Sequence, residues 1–156
     1  MPSRKRSTQR KAPYQALDLM EFVPYLLGSV TNRITANAAR NIQREFGVGV
    51  AEWRVLAMLA IEPGATVART SELSGIDQSA ISRSLHALTK QGLVDSEDNP
   101  DDRRQKFSRM TSAGQQLYNR ILRRALLEER KLLSVLTTEQ RRQLIDILRI
   151  LHARLY

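Results

Sequence analysis

The chain has 156 residues, a formal net charge of +9 at pH 7 and no cysteine. Its length fits one domain with short extensions, and its richness in leucine, arginine and alanine favours helices. The absence of cysteine excludes disulfides, cysteine–zinc sites and thiol-based redox sensing. Because no apolar run reaches membrane-spanning length and no signal-peptide pattern is present, we expect a soluble, cytoplasmic protein without a membrane partner.

Residues 1–16 are interpreted as a basic, disordered arm. Five arginines and lysines and no acidic residue fall within residues 1–13, so the rest of the chain is only moderately basic. The net charge alone therefore does not establish a nucleic-acid partner. Two interpretations of the arm stay open: a solvated tail that aids solubility, and a segment that adds phosphate contacts beside a bound site.

The first and last parts of the body are predicted to be helical. Apolar residues recur every three to four positions across residues 17–46, with Pro24 in the first turn, where its missing N–H costs nothing. Thr111 caps a helix that is expected to end near residue 136, and a capping box at Thr137 opens the last helix.

Both terminal helical segments are more apolar than one small core requires. Residues 17–46 are apolar over a wide arc, and the last helix within residues 111–156 carries an apolar stripe. A chain of this size cannot cover these surfaces alone. We therefore expect a symmetric homodimer formed by an N-terminal helix over 17–46 and C-terminal helices over 111–156.

The middle of the chain alternates short helices with strong turns. A helix over 51–61 is expected, then a short helix capped by Thr66, then a fourth helix capped by Asp77. Strand-like runs at 93–97 and 106–110 flank the turn residues Asn99-Pro100-Asp101-Asp102. The prediction is a mainly α fold in which residues 47–110 form a winged helix-turn-helix with a two-stranded wing.

The two short helices have the features that a helix-turn-helix needs. Ser71 is a small residue where the second helix crosses the first, and Gly75 can adopt the positive φ of the turn. The predicted inner face is apolar and consists of Leu73, Ile76, Ile81, Leu85 and Leu88. The alternative is an ordinary helical hairpin with a solvated polar face.

The outer face of the fourth helix carries short polar groups and one arginine. These residues are Gln78, Ser79, Ser82, Arg83 and His86. They suit base edges and phosphates in a major groove, and the helix N-terminus also favours a phosphate. At the wing, Arg103 and Arg104 suit the negative potential of a narrow minor groove, and a neighbouring carboxylate can hold an arginine in one conformation.

Several runs of residues resemble the MarR family of transcriptional regulators over about residues 20–155. They lie at 46–48, 51–56, 75–83, Leu88 with 91–94, 99–104 and 110–114. The wing run Asn99-Pro100-Asp101-Asp102-Arg103-Arg104 and the following Met110-Thr111-Ser112-Ala113-Gly114 are the most specific of these. The resemblance implies that Arg104 enters the minor groove and that Asp102 orients it. Thr70 departs from the family, which usually has leucine there.

The resemblance also implies control by a small molecule, such as an aromatic acid or its coenzyme A thioester. Candidate pocket residues are Arg33, Asn37, Arg40 and Trp53. Trp53 is alternatively a core residue, and the three polar residues are alternatively solvated side chains. A ligand that changes the separation of the two recognition helices would release the dimer from DNA.

Three functions are compared on the sequence. The first is a ligand-responsive repressor that binds a palindromic operator in double-stranded DNA. The second is a constitutive or architectural DNA-binding protein, and the third is a basic, all-helical interaction module. We expect no enzyme, no cofactor and no metal site, because His86 and His152 lie far apart and no phosphate loop or nucleophile motif is present. The wing signature argues against the third function.

The wing assignment predicts the effect of Arg104→Ala. This variant should lose roughly tenfold in DNA affinity and should discriminate less at the minor-groove position, because charge and shape readout are lost together. Affinities measured on a panel of duplexes test this prediction. Substitutions at Arg4, Lys5 and Arg6 serve as controls, since they should weaken all duplexes nearly equally. Wild-type affinity and sequence preference in Arg104→Ala would contradict the assignment.

Overall fold

A computed structural model describes residues 15–98 and 106–155. Within these ranges the chain forms six helices and one two-stranded antiparallel sheet. The elements are α1 (Val23–Phe46), α2 (Val50–Ile61), α3 (Val67–Ser74), α4 (Gln78–Lys90), β1 (Val94–Asp98), β2 (Lys106–Met110), α5 (Ser112–Leu133) and α6 (Thr138–Leu155). The chain divides into two compact units, Met1–Arg40 and Asn41–Tyr156.

The first helix begins later than the sequence pattern predicts. Helix α1 starts at Val23 rather than residue 17, so Pro24 lies in its first turn as expected. A start at residue 17 would place the proline in the helix interior, where its ring clashes with the preceding turn and a backbone hydrogen bond is lost. Residues before the helix form a separate turn, in which the Asp18 carboxylate accepts the Met20 N–H at 2.9 Å.

The helix-turn-helix follows the predicted caps. Thr66 accepts the Arg69 N–H at 3.2 Å to begin α3, and Asp77 caps α4. Gly75 has φ +65°, the left-handed conformation that glycine adopts without a Cβ penalty. The Ser71 hydroxyl donates to the Ile76 carbonyl at 2.6 Å, so the small residue in α3 directly secures the turn.

The hairpin is joined to the loop between α2 and α3. Strands β1 and β2 pair antiparallel, with Val94 opposite Met110. The Gly64 N–H donates to the Ser108 carbonyl at 2.9 Å, and the Ser108 N–H donates to the Ala65 carbonyl at 3.3 Å. The hairpin is therefore anchored to the loop that leads into α3.

The first strand begins one residue later than predicted, at Val94 instead of residue 93. The Leu93 N–H donates to the Leu88 carbonyl at 2.9 Å and so completes the end of α4, while the Leu93 carbonyl accepts the Thr111 N–H at 3.1 Å at the base of the hairpin. Helix α5 ends at Leu133, three residues before the expected end. The Ser134 hydroxyl donates to the Lys131 carbonyl there at 2.7 Å.

The core of the second unit is aliphatic. Its fully buried residues include Val55, Leu56, Leu59, Ile81, Leu88, Val94 and Ile121. The predicted inner face of the helix-turn-helix is confirmed, since Leu85 is also buried and Leu73 and Ile76 are half-buried. Burial of this surface fixes the orientation of α4 against α2 and α3.

The junction between the hairpin and α5 explains the run from Thr111 to Gly114. The Thr111 hydroxyl donates to the Gly92 carbonyl at 2.8 Å and accepts the Gly114 N–H at 3.0 Å. Gly114 is buried, and a Cβ there would lie 2.0 Å from the Leu93 carbonyl oxygen. The helix approaches the end of α4 so closely that only glycine fits.

The last helix lies outside the core. Thr137 and Gln140 form the predicted capping box, with hydrogen bonds of 2.9 and 3.2 Å. No residue of α6 is buried, and its apolar side chains are exposed within the described chain. Among the described residues, no helix is long and apolar enough to cross a membrane.

The Gly114 contact predicts a large loss of stability in Gly114→Ala. The added methyl group must displace a backbone carbonyl, which should lower the free energy of unfolding by about 3 kcal/mol. Denaturant titration measures this quantity. The control is Gly28→Ala in α1, where a Cβ meets no atom within 4 Å. That variant should gain about 0.5–1 kcal/mol from helix propensity. Equal effects of the two substitutions would show that the close approach is absent.

Candidate nucleic-acid interface

One side of α4 is polar and open to solvent. All five residues expected to read DNA are exposed on this helix: Gln78, Ser79, Ser82, Arg83 and His86. Ile81, Ser84 and Leu88 of the same helix are buried. The structure therefore brings the predicted recognition residues together on a single surface.

The N-terminus of α4 is occupied by a carboxylate. Asp77 accepts the backbone N–H of Ser79 at 2.9 Å and that of Ala80 at 3.4 Å. The Ser79 hydroxyl bond, followed by these two backbone bonds, holds the pKa of Asp77 below its usual range, so the group is ionised at neutral pH. The expected phosphate contact at this helix end is thus disfavoured, because the negative side chain already uses the N–H groups.

A groove of about 550 Å³ separates α4 from the hairpin. Its lining combines hydroxyl, amide, imidazole and ammonium groups with apolar surface. The lining residues are Thr66, Val67, Ala68, Gln78, Ser82, Leu85, His86, Thr89, Ser96, Lys106 and Ser108. Such a mixture of donors suits a phosphodiester strand.

Lys106 is a basic residue of this groove that sequence reasoning missed. Its side chain is exposed and lies 3.6 Å from the Asp98 carboxylate at the end of the hairpin. Its position two residues after the wing arginines could have indicated it in the sequence. The predicted wing residues Asp102, Arg103 and Arg104 lie outside the described residues.

The candidate pocket residues on α1 are exposed. Arg33, Asn37 and Arg40 are open to solvent, and the Arg40 guanidinium donates to the Asn37 side-chain carbonyl. The structure thus joins two of these residues in a polar pair on one helix. No ligand-binding role follows from this contact alone.

Trp53 is half-buried on α2 and is stacked on Tyr118 of α5. Their ring centroids are 5.4 Å apart and the rings are inclined by 25°. This partner was missed from the sequence, because the two residues are far apart along the chain. The indole packs as a core residue would, yet part of it stays accessible.

Charged groups reinforce the contact between α5 and the end of α1. The Arg120 guanidinium lies 5.5 Å from the Phe46 ring centroid. One turn later, Arg124 is 3.7 Å from Glu45 and 3.3 Å from Glu128. Within the described residues, no group of three or more acidic, histidine or cysteine side chains is arranged to hold a metal ion.

The likeness to known proteins agrees with this architecture. A family model described as the MarR family matches residues 46–105. The HTH-type transcriptional regulator TcaR of Staphylococcus aureus (strain Newman) is 30% identical to the chain over 116 residues, which are 72% of this chain and 69% of TcaR. The chain belongs to the MarR family.

Two solved structures show the same fold. The PcaV transcriptional regulator from Streptomyces coelicolor, in complex with its natural ligand, has a TM-score of 0.79 at 22% identity, and the match covers 92% of this chain and 100% of PcaV. MepR of S. aureus in a DNA complex has a TM-score of 0.73 at 18% identity, with 86% and 97% coverage.

Family and fold confirm the main prediction. The MarR-family protein is a DNA-binding transcriptional regulator with a mainly α, winged helix-turn-helix fold. Its family and fold are those of regulators and not of enzymes.

Thr70 of α3 has a buried polar group. It is fully buried in α3, and its hydroxyl has no hydrogen-bond partner among the described residues. An unpaired buried hydroxyl costs free energy, because it has lost its hydrogen bonds to water. The unpaired hydroxyl therefore destabilises the lobe relative to an apolar side chain of the same shape.

Thr70→Val should raise the free energy of unfolding by about 1 kcal/mol, since it keeps the side-chain shape and removes the unpaired hydroxyl. Thr66→Val is a matched control with the opposite expected sign. That substitution removes the hydroxyl that caps α3 and should cost about 1 kcal/mol. Denaturant midpoints measure both effects. A loss of stability in Thr70→Val would mean that the hydroxyl is paired in solution.

Proposed function

We propose that the protein is a homodimeric repressor that binds a palindromic operator and is released by a small aromatic or anionic ligand. The observation that carries this proposal is the exposed apolar surface of α1 and α6. Helix α4 is packed within a single chain, whereas the apolar faces of the terminal helices need a partner to cover them.

The exposed apolar side chains support a second copy as that partner. Val30 and Ile34 on α1 are 50% and 43% exposed, and Ile147 on α6 is 55% exposed. Aliphatic surface of this extent on two long helices is costly in water. Pairing across a two-fold axis buries equivalent surfaces on both protomers.

A two-fold dimer determines the form of the operator. Two copies of α4 would enter successive major grooves, with half-sites about 10 base pairs apart on a palindrome. The groove beside α4 would take the phosphate strand between the major and minor grooves, with Lys106 as a contact. Arg104 would then enter the minor groove, with Asp102 orienting it and Arg103 beside it.

Ligand control is supported by the aromatic pair on α2 and α5. The half-buried Trp53–Tyr118 stack offers a flat apolar surface to an aromatic ring. PcaV, which shares the fold, was crystallised with its natural ligand. An aromatic acid or its coenzyme A thioester carries a ring of the kind that this stack suits.

Selection of duplexes by the purified protein from a random pool tests the proposal. We expect a palindrome with half-site centres about 10 base pairs apart. Recovery of no motif, with binding lost in moderate salt, would indicate charge-driven association and would contradict the proposal. The selected duplex then serves as the probe for release by aromatic carboxylates and their coenzyme A thioesters. Release by none of them would favour constitutive binding.

The dimer is tested with Ile147→Glu, which places a charge on the exposed apolar face of α6. This variant should sediment as a monomer and lose most affinity for the palindrome. Ala153→Glu is the matched control, since it adds the same charge on the opposite side of the same helix. Dimerisation of Ile147→Glu at the wild-type concentration would place the interface elsewhere.

A further inference from the structure

Three side chains at the start of α4 form a continuous chain of hydrogen bonds. The Ser79 hydroxyl donates to the Asp77 carboxylate at 2.5 Å. The Arg83 guanidinium donates to the same hydroxyl oxygen at 3.2 Å. A hydroxyl donates one bond and accepts others, so serine is chemically suited to the middle position. The carboxylate thereby acts on an arginine that lies more than one helical turn away.

This chain of bonds limits the freedom of an exposed arginine. A solvated arginine samples many rotamers, and ordering it on binding costs free energy. The bond to Ser79 uses one N–H of the five on Arg83. Within the described residues, the other donors have no side-chain partner. A fork of parallel N–H groups therefore remains available to a ligand with two adjacent acceptors.

The charge of Asp77 decides which ligand suits this fork. A phosphate bound at the tethered guanidinium would lie near an ionised carboxylate and would be repelled. A base edge carries no net charge. In the major groove, guanine presents two adjacent acceptors, O6 and N7, which arginine binds in a bidentate manner.

We propose that Ser79 and Asp77 are positioning residues that hold Arg83 for readout of one guanine in each operator half-site. The inference rests on the proposed function, because it assumes that α4 enters a major groove. It assigns Ser79 an indirect role in place of the direct base contact expected from the sequence. It also makes Arg83 the residue that specifies sequence at that position.

The test first locates the guanine that Arg83 is proposed to read and then replaces it with a modified base. Duplex selection with Arg83→Ala, beside wild type, identifies the position whose guanine preference is lost. Replacing that guanine with 7-deazaguanine removes the N7 acceptor and keeps Watson–Crick pairing. Wild-type affinity should fall roughly 5- to 100-fold, and the affinity of Arg83→Ala should not change. A wild-type protein that is indifferent to the replacement would overturn the proposal.

Ser79→Ala tests positioning without removing the helix cap, because Asp77 still accepts the backbone N–H groups. In this variant, the loss of affinity caused by 7-deazaguanine should be at least about threefold smaller than in wild type. Ser79→Thr, which keeps a hydroxyl, should restore the wild-type loss of affinity on 7-deazaguanine. Asp77→Asn also keeps a good cap and should lower this loss of affinity.

A double-mutant cycle separates positioning from direct contact. If Ser79 acts through the arginine, Ser79→Ala should have no further effect when Arg83 is alanine. Ser82→Ala is the matched control, since this exposed serine on the same helix lies outside the hydrogen-bond chain. Its effect should add to that of Arg83→Ala. Additive effects of Ser79→Ala would overturn the positioning role.

Different results would contradict the operator proposal and the inference about guanine readout by Arg83. If wild type selects a palindrome but Arg83→Ala selects the same one, only the readout inference is wrong. If wild type selects no motif, the operator proposal is wrong and the readout inference is overturned with it.

Discussion

The crossing of α3 and α4 is the constraint on which the recognition surface depends. The left-handed Gly75 begins the three-residue turn between α3 and α4, and the Ser71 hydroxyl secures this turn at the Ile76 carbonyl. Once this angle is fixed, the buried face of α4 determines which side chains are exposed. The polar residues of the opposite face then point outward together. The exposed polar face of α4 thus depends on how the turn between α3 and α4 is closed.

Features that depend on neighbouring residues were predictable from the sequence. The caps at Thr66 and Asp77 and the capping box at Thr137 use groups within three residues, so composition and spacing revealed them. The start of α1 was wrong because apolar periodicity outweighed the position of Pro24. Strand β1 was wrong by one residue because the end of α4 uses the Leu93 N–H.

Contacts between distant parts of the chain were not predictable in the same way. The Trp53–Tyr118 stack joins residues on α2 and α5, and the groove joins residues from α3, α4 and both strands. Such arrangements depend on tertiary packing, which local patterns do not encode. The role of Arg104 rests on family resemblance alone, whereas Arg83 acquires a specific environment only in three dimensions. The structure describes the surroundings of Arg83, whereas Arg104 lies outside the described residues.

The attachment of the hairpin has a consequence for how such regulators diversify. Strand β2 is fastened to the loop before α3 by backbone groups of Gly64, Ala65 and Ser108. Backbone bonds do not depend on side-chain identity, and they lie on the far side of Lys106 from the hairpin tip. Side chains of the hairpin can therefore be replaced without loss of these bonds. The sequence of the hairpin can thus diverge while its connection to the loop before α3 is inherited intact.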